Sequence, residues 1–132
     1  MENTETRSIA AQVAAAKLQI PNLTPAEVAA ALAEGDVVLV DLREGEERLA
    51  GVIPGAVHAP RGMLEFYADP ASPYHRPEFA PERRTILYCA SGGRSALAAV
   101  ALQGLGYRDV AHLDGGLKSW REQGRPVEVP TA

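Results

Sequence analysis

Six residues near the middle of the chain, Cys89-Ala90-Ser91-Gly92-Gly93-Arg94, combine a thiol, two consecutive glycines and a guanidinium. A cysteine attacks as its thiolate, and amide donors, a helix N-terminus and a nearby arginine all favour that form. Thr85-Ile86-Leu87-Tyr88, just before, is a short apolar run rich in β-branched and aromatic residues, the pattern of a buried strand. Ser95 to Leu102, just after, consists mostly of strong helix formers and is closed by Gly104 and Gly106. A strand, a tight loop and a helix start aim backbone N–H groups at one point, and the single cysteine of the chain lies there. The competing reading is an inert core thiol, the usual state of a free cysteine at the end of an apolar strand. An inert residue has no use for Gly-Gly-Arg before a helix, whereas an anion-binding loop needs backbone freedom and positive charge. Cys89 is therefore read as a nucleophile that ionises readily.

Other chemistry-bearing residues are placed by their elements. Val37-Val38-Leu39-Val40 is a continuous apolar run, as in a strand covered on both faces of a parallel sheet. Asp41-Leu42-Arg43-Glu44 follows at its C-terminal end, where open α/β sheets form their ligand crevice. Asp41 and Arg43 are thus candidate site residues, with a solvated turn as the alternative. His75 and Arg76 lie in Asp69–Arg84, whose four prolines (70, 73, 77 and 81) forbid a long regular element. Such a segment is read as a rim or lid, with His75 and Arg76 on the surface or over a pocket. His58, His75 and His112 are scattered, and with one cysteine no zinc-ligand spacing arises, so no metal is expected.

The remaining elements alternate between helix and strand. Ile9, Val13 and Ala16 recur at helical spacing over Ser8–Leu18, an amphipathic helix that covers the domain or meets a partner. Met1 to Glu5 is read as loose. Gln19 to Leu23 is a linker with the makings of a short edge strand. Thr24-Pro25-Ala26-Glu27 opens a helix that runs to about Glu34 and stops at Gly35. A short helix is expected at Glu46–Ala50, a brief strand at Val57-His58, and a helix at Met63–Tyr67. Val110-Ala111-His112-Leu113 is the last strand, and Asp114-Gly115-Gly116 turns the chain into a helix bearing Leu117 and Trp120, stopped at Gly124. This alternation predicts an α/β fold: an open, mainly parallel sheet of about five strands with helices on both faces, plus an extra N-terminal helix. The expected organisation is a helical extension over 1–19, one domain over 20–128 and a tail over 129–132.

Composition narrows the function. At 132 residues, 46% hydrophobic and 23% charged, the chain suits one soluble domain. A net charge of −4 argues against general nucleic-acid binding, and no apolar run is long enough to cross a membrane. Glu2 and Glu5 stand where a secretory signal carries positive charge, so a reducing cytoplasm is the expected compartment.

Taken together, the motifs resemble the single-domain rhodanese family of sulfurtransferases. Asp41-Leu42-Arg43 with Glu47 resembles the family's acidic-x-Arg segment. Gly51-Val52-Ile53-Pro54-Gly55-Ala56 is similar to its Gly-His-Ile-Pro-Gly-Ala motif. Cys89 to Ser95 resembles its active-site loop, and Leu113-Asp114-Gly115-Gly116, with Trp120 and Gly124-Arg125-Pro126, resembles its closing motif. Three positions depart from the pattern: Val52 replaces a common His, Leu117 an aromatic, and Gly93 a bulkier residue. The last predicts a wider pocket or a more mobile loop. Related phosphatases on this fold space their residues as Cys-x5-Arg, whereas here four residues separate Cys89 from Arg94, a tighter ring suited to one sulfur.

The resemblance implies covalent sulfur transfer without a cofactor. Cys89 takes a sulfane sulfur from thiosulfate or a similar donor and yields it to cyanide or a thiol. Arg94 is the second catalytic residue, holding the loop or bracing it from outside. Ala90, Ser91, Gly92, Gly93 and Ser95 form the amide-lined substrate site, with Asp41 and Arg43 on neighbouring loops or the pocket wall and Arg61 meeting the anionic donor. A homodimer or a protein sulfur acceptor is a further candidate partner. The alternatives are a rhodanese-like binding or redox-sensing module and, less favoured, arsenate reduction or phosphatase chemistry.

Overall fold

A computed structural model describes residues 8–130. The expectation for Met1–Glu5, and the last two residues of the expected tail, lie outside that range. The element order is α1 (Ile9–Lys17), β1 (Asn22–Leu23), α2 (Pro25–Glu34), β2 (Val37–Asp41), α3 (Gly45–Arg48), β3 (Val57–His58), α4 (Leu64–Ala68), β4 (Arg84–Tyr88), α5 (Gly93–Gly104), β5 (Val110–Leu113) and α6 (Gly116–Glu122). A single 3-10 turn, Arg61–Met63, precedes α4.

The five strands form one parallel sheet in the order β1-β5-β4-β2-β3. Because all run the same way, the residues after β1, β2, β3, β4 and β5 all emerge at one edge, which collects Thr24, Leu42, Ala59, Cys89 and Asp114. Each face of the sheet buries its own apolar cluster. One joins Val38, Val40 and Leu87 to α5 residues such as Ala96 and Ala99 and to Leu64 and Ala68 of α4. The other joins Leu39, Ile86 and Tyr88 to Val28 and Ala31 of α2 and to Leu117 and Trp120 of α6. This explains the unbroken apolar reading of β2 and β4, since alternate side chains enter different cores.

Local chemistry explains the element ends. At α2 the Thr24 hydroxyl accepts from the Glu27 N–H while the Glu27 carboxylate accepts from the Thr24 N–H, and Pro25 needs no partner for a missing donor. The N-terminal helix covers the domain: α1 packs along α5, burying Ala16 and part of Val13 while Ile9 faces solvent. Lys17 pairs with Asp114 at 3.1 Å, and the Gln103 side-chain amide donates to Gln19 O. The proline-rich segment is pinned down as well. Arg76 donates to His58 O, pairs with Glu78 and lies 5.0 Å from the centre of the Tyr67 ring, while Phe79 is buried. The His75 ring bonds Phe79 O, so both residues tie the segment to itself and to the domain. Past Gly124 the chain folds back rather than running free: Trp120 Nε1 donates to Pro126 O, and Val52 and Glu128 form an antiparallel bridge.

Candidate active site

Cys89 immediately follows β4, at the edge where all five strands end. Gly92 adopts a left-handed φ of 105°, and this reversal turns its N–H back onto Cys89 Sγ at 3.2 Å. The thiol in turn donates to Ser95 Oγ at 3.6 Å. Gly93, Arg94 and Ser95 form the first turn of α5, where N–H groups have no helical acceptor; among the described residues these three make no other backbone bond. The sulfur therefore lies at the positive end of a twelve-residue helix whose first three N–H groups are uncommitted.

The expected amide-lined site differs in one respect. Cys89 is only 1% exposed and packs with Leu87 and Ala96 beneath its loop, so one amide and one hydroxyl, not a full ring of N–H groups, touch the sulfur. Ser91, in contrast, is exposed above it.

The loop is held from behind by the start of α6. Leu117 N–H donates to Cys89 O at 2.9 Å and Lys118 N–H to Ala90 O at 3.1 Å. This approach requires Gly116, which has a φ of +62° and where a Cβ would stand 2.6 Å from both Cys89 O and the Ala90 carbonyl carbon. Gly93 is different: its φ is not positive, and a Cβ there would meet only Val13 Cγ2 at 3.8 Å, an ordinary contact. The side of Gly93 that a Cβ would occupy faces α1, so a larger residue there would meet Val13. Gly116→Ala is expected to displace the thiol and lower sulfur transfer by about 10²-fold, while Gly93→Ala stays within a factor of about three. Parallel steady-state assays of the two variants check this, and equal losses would contradict the geometry.

Arg94 is tied to a neighbouring helix while its charge still reaches Cys89, one of the groups that raise its pKa, after Glu47. Its guanidinium makes a two-pronged pair with Glu47 of α3, at 2.7 and 2.9 Å. Hydrogen bonding from Arg94 holds the Glu47 carboxyl down to about 2, so the brace persists at every ordinary pH. Of the two roles open for Arg94, the geometry favours bracing the loop from outside.

Asp41 and Arg43 are placed differently from a substrate-binding pair. Both are buried, and Asp41 accepts from the Arg43 guanidinium, the Arg43 N–H, Arg48 Nε and the Tyr88 hydroxyl. Arg43 also donates to Glu47 O and Gly51 O. Every polar atom is taken up internally, so the pair is a bracket joining β2, β4 and the two following loops, not a lining of the substrate site. Arg61 lies in the turn after β3, with its N–H on Leu42 O and its guanidinium committed to Glu65 at 2.7 Å.

One participant goes unnoticed in the sequence. His112 of β5 is fully buried, and its Nδ1 bonds Ser95 Oγ at 2.8 Å. The available signal is a histidine inside an otherwise apolar strand whose C-terminal end leads to the Asp114-Gly115-Gly116 turn.

A parallel sheet with a lone cysteine between strand and helix, its loop clasped by a Gly-Gly turn, defines a class, and residues 24–123 match the rhodanese-like domain family. The chain belongs to that family of sulfurtransferases. It is 35% identical over 95 residues to a sulfurtransferase of Allochromatium vinosum, covering 72% of this chain and 81% of that protein. It is 30% identical over 110 residues to the human thiosulfate:glutathione sulfurtransferase, covering 78% and 95%. It also matches parts of longer relatives, spanning between 26% and 46% of three of them. Among solved structures, a Rhodopseudomonas palustris protein of unknown function, described as a possible tyrosine phosphatase, superposes with a TM-score of 0.88 at 44% identity, covering 97% of this chain and 99% of that one. Among the described residues no helix is long and apolar enough to cross a membrane.

Proposed function

We propose that the protein moves a sulfane sulfur from thiosulfate or a similar anionic donor to a thiol or cyanide through a persulfide on Cys89. The observation that carries this reading is the placing of the sole thiol: Sγ accepts from the Gly92 N–H at the N-cap of α5 and bonds Ser95 Oγ in its first turn. Because Cys89 is buried and Ser91 is the exposed residue of its loop, the loop must shift for a donor to reach the sulfur. The Cys89 thiolate attacks the outer sulfur of thiosulfate, a new S–S bond forms, and the electron pair of the broken S–S bond leaves with sulfite. The persulfide anion then gains the amides of Gly93, Arg94 and Ser95, donors that cost no reorganisation. Attack by cyanide or a thiolate on the terminal sulfur releases the product and restores the Cys89 thiolate. With one cysteine in the chain, the acceptor is a second molecule.

Tyrosine phosphatase chemistry, named for the Rhodopseudomonas palustris protein, fits this site poorly. Four residues separate Cys89 from Arg94, and the guanidinium that would grip a phosphate is neutralised by Glu47 outside the loop. Incubation with thiosulfate is expected to add the mass of one sulfur atom to the protein, and cyanide is expected to remove it with release of thiocyanate. A mass that never changes with any sulfane donor would refute the proposal and leave a binding module.

A further inference from the structure

The hydrogen bonds around His112 have a direction. The Asn22 side-chain amide donates its N–H groups to Lys17 O at 2.9 Å and Ile20 O at 3.0 Å, which fixes its Oδ1 as the atom facing His112 Nε2 at 2.7 Å. Reversing that amide would set an oxygen against two carbonyl oxygens. Nε2 must then carry the imidazole proton, which leaves Nδ1 bare. A bare Nδ1 at 2.8 Å takes the Ser95 hydroxyl proton in preference to Gly92 O at 3.3 Å, and Ser95 Oγ in turn accepts from the Cys89 thiol. The whole chain therefore points away from the sulfur, from S–H to O–H to Nδ1.

We infer that Ser95 and His112 form a proton relay for Cys89, oriented by Asn22 of the segment that follows the N-terminal helix. The inference rests on the sulfur-transfer reading of the site but concerns how its nucleophile is made. In the step, the thiol proton passes to Ser95 Oγ while the Ser95 hydroxyl proton passes to His112 Nδ1. This leaves the Cys89 thiolate facing a hydroxyl donor, and an imidazolium whose Nε2–H stays on Asn22. When the thiolate is reprotonated, the same two protons return. A base oriented by a third group is the general device for activating a weak nucleophile, and it contributes about 10²- to 10⁴-fold.

Burial pushes the His112 pKa down to about 4, with Asp114 drawing it up and Lys17 drawing it down, the two charged groups that face it from the β5 turn and from α1. The imidazole is therefore neutral at rest and carries the thiol proton only transiently, while the thiolate attacks. Asp114 and Lys17 also pair with each other at 3.1 Å. Asn22 lies in β1, just before the stretch that matches the family, 24–123. Here Ser95 acts on the sulfur directly, whereas His112 and Asn22 are positioning residues that act through it.

The test is the pH dependence of Cys89 alkylation by iodoacetamide in the full chain, with folding of each variant checked by circular dichroism. Ser95→Ala and His112→Leu are each expected to move the midpoint up and to slow alkylation at pH 7 by about tenfold or more. Asn22→Ala, at an exposed position that spares the core, is expected to shift it in the same direction by less. The Ser95→Ala, His112→Leu double variant is expected to match the single ones, because one chain is broken once. Unchanged midpoints in folded Ser95→Ala and Asn22→Ala, or additive shifts in the double variant, would overturn the relay. Alkylation needs no sulfur donor, so this result is separable from persulfide formation in the wild type, which tests the sulfur-transfer reading alone.

Discussion

Cys89→Ser is expected to reduce thiocyanate formation from thiosulfate and cyanide to the uncatalysed background, a loss of at least about 10³-fold. The argument is chemical. A serine hydroxyl in the same place accepts the Gly92 N–H and reaches Ser95 as the thiol does, so the loop keeps its contacts. It lacks the acidity and the soft nucleophilicity needed to open an S–S bond, and no second thiol exists in the chain to take over. The anchoring bonds from Leu117 and Lys118 go to carbonyls of residues 89 and 90 and do not involve the side chain. Thermal unfolding of the variant is therefore expected to stay within a few degrees of wild type, roughly 1 kcal/mol. Residual turnover above background in this variant would remove Cys89 from the chemistry while leaving the fold untouched.

What could be read from the sequence was local, and what could not was set by distant partners. The capping box at Thr24 and Glu27 and the apolar run of β5 depend on residues next to one another, and both appear where the pattern places them. The parallel sheet follows from alternation alone, since each crossover helix must return the chain to the same edge. Helix α5 begins at Gly93, two residues before the run of strong helix formers, because bonds from α6 hold the loop and impose a turn that glycine would not choose unaided. Charged residues were harder. Arg94 and Glu47 are 47 positions apart, so nothing in the Cys89 loop reveals that its arginine is paired with a carboxylate of α3. Asp41 and Arg43 stand where a crevice is expected, yet the Tyr88 hydroxyl and the loop carbonyls of Glu47 and Gly51 draw them inward. The apolar stripe of α1 was plain, but the helix it packs on, α5, lies far along the chain and nothing within α1 names it.

The bracket around Asp41 carries the largest expected effect on stability. Asp41→Ala removes a carboxylate that is 0% exposed and strands the Arg43 guanidinium, 4% exposed, with only two carbonyl partners. It also leaves the Tyr88 hydroxyl, which supports the Ile53 N–H at 3.1 Å, without its acceptor. Breaking one side of a buried pair costs about 3–5 kcal/mol, a large share of the roughly 5–15 kcal/mol available to a domain. A urea unfolding curve at pH 7 is expected to show the midpoint falling by a third or more with an unchanged slope. The sign with pH follows from the carboxyl itself. Burial alone would raise it, but hydrogen bonds and charge from Arg43, with the Tyr88 hydroxyl, outweigh burial and hold it below its ordinary value of 3.8. A carboxyl with a lowered folded value stabilises fully above its unfolded pKa, and that contribution drains away as the pH falls through the folded one. The gap between wild type and Asp41→Ala is therefore expected to be constant from neutral pH down to about 5 and to narrow only below about 4. A midpoint at pH 7 that does not move on removing Asp41 would show that the buried bracket adds nothing to the fold, leaving Arg43 to be held by the Glu47 and Gly51 carbonyls alone.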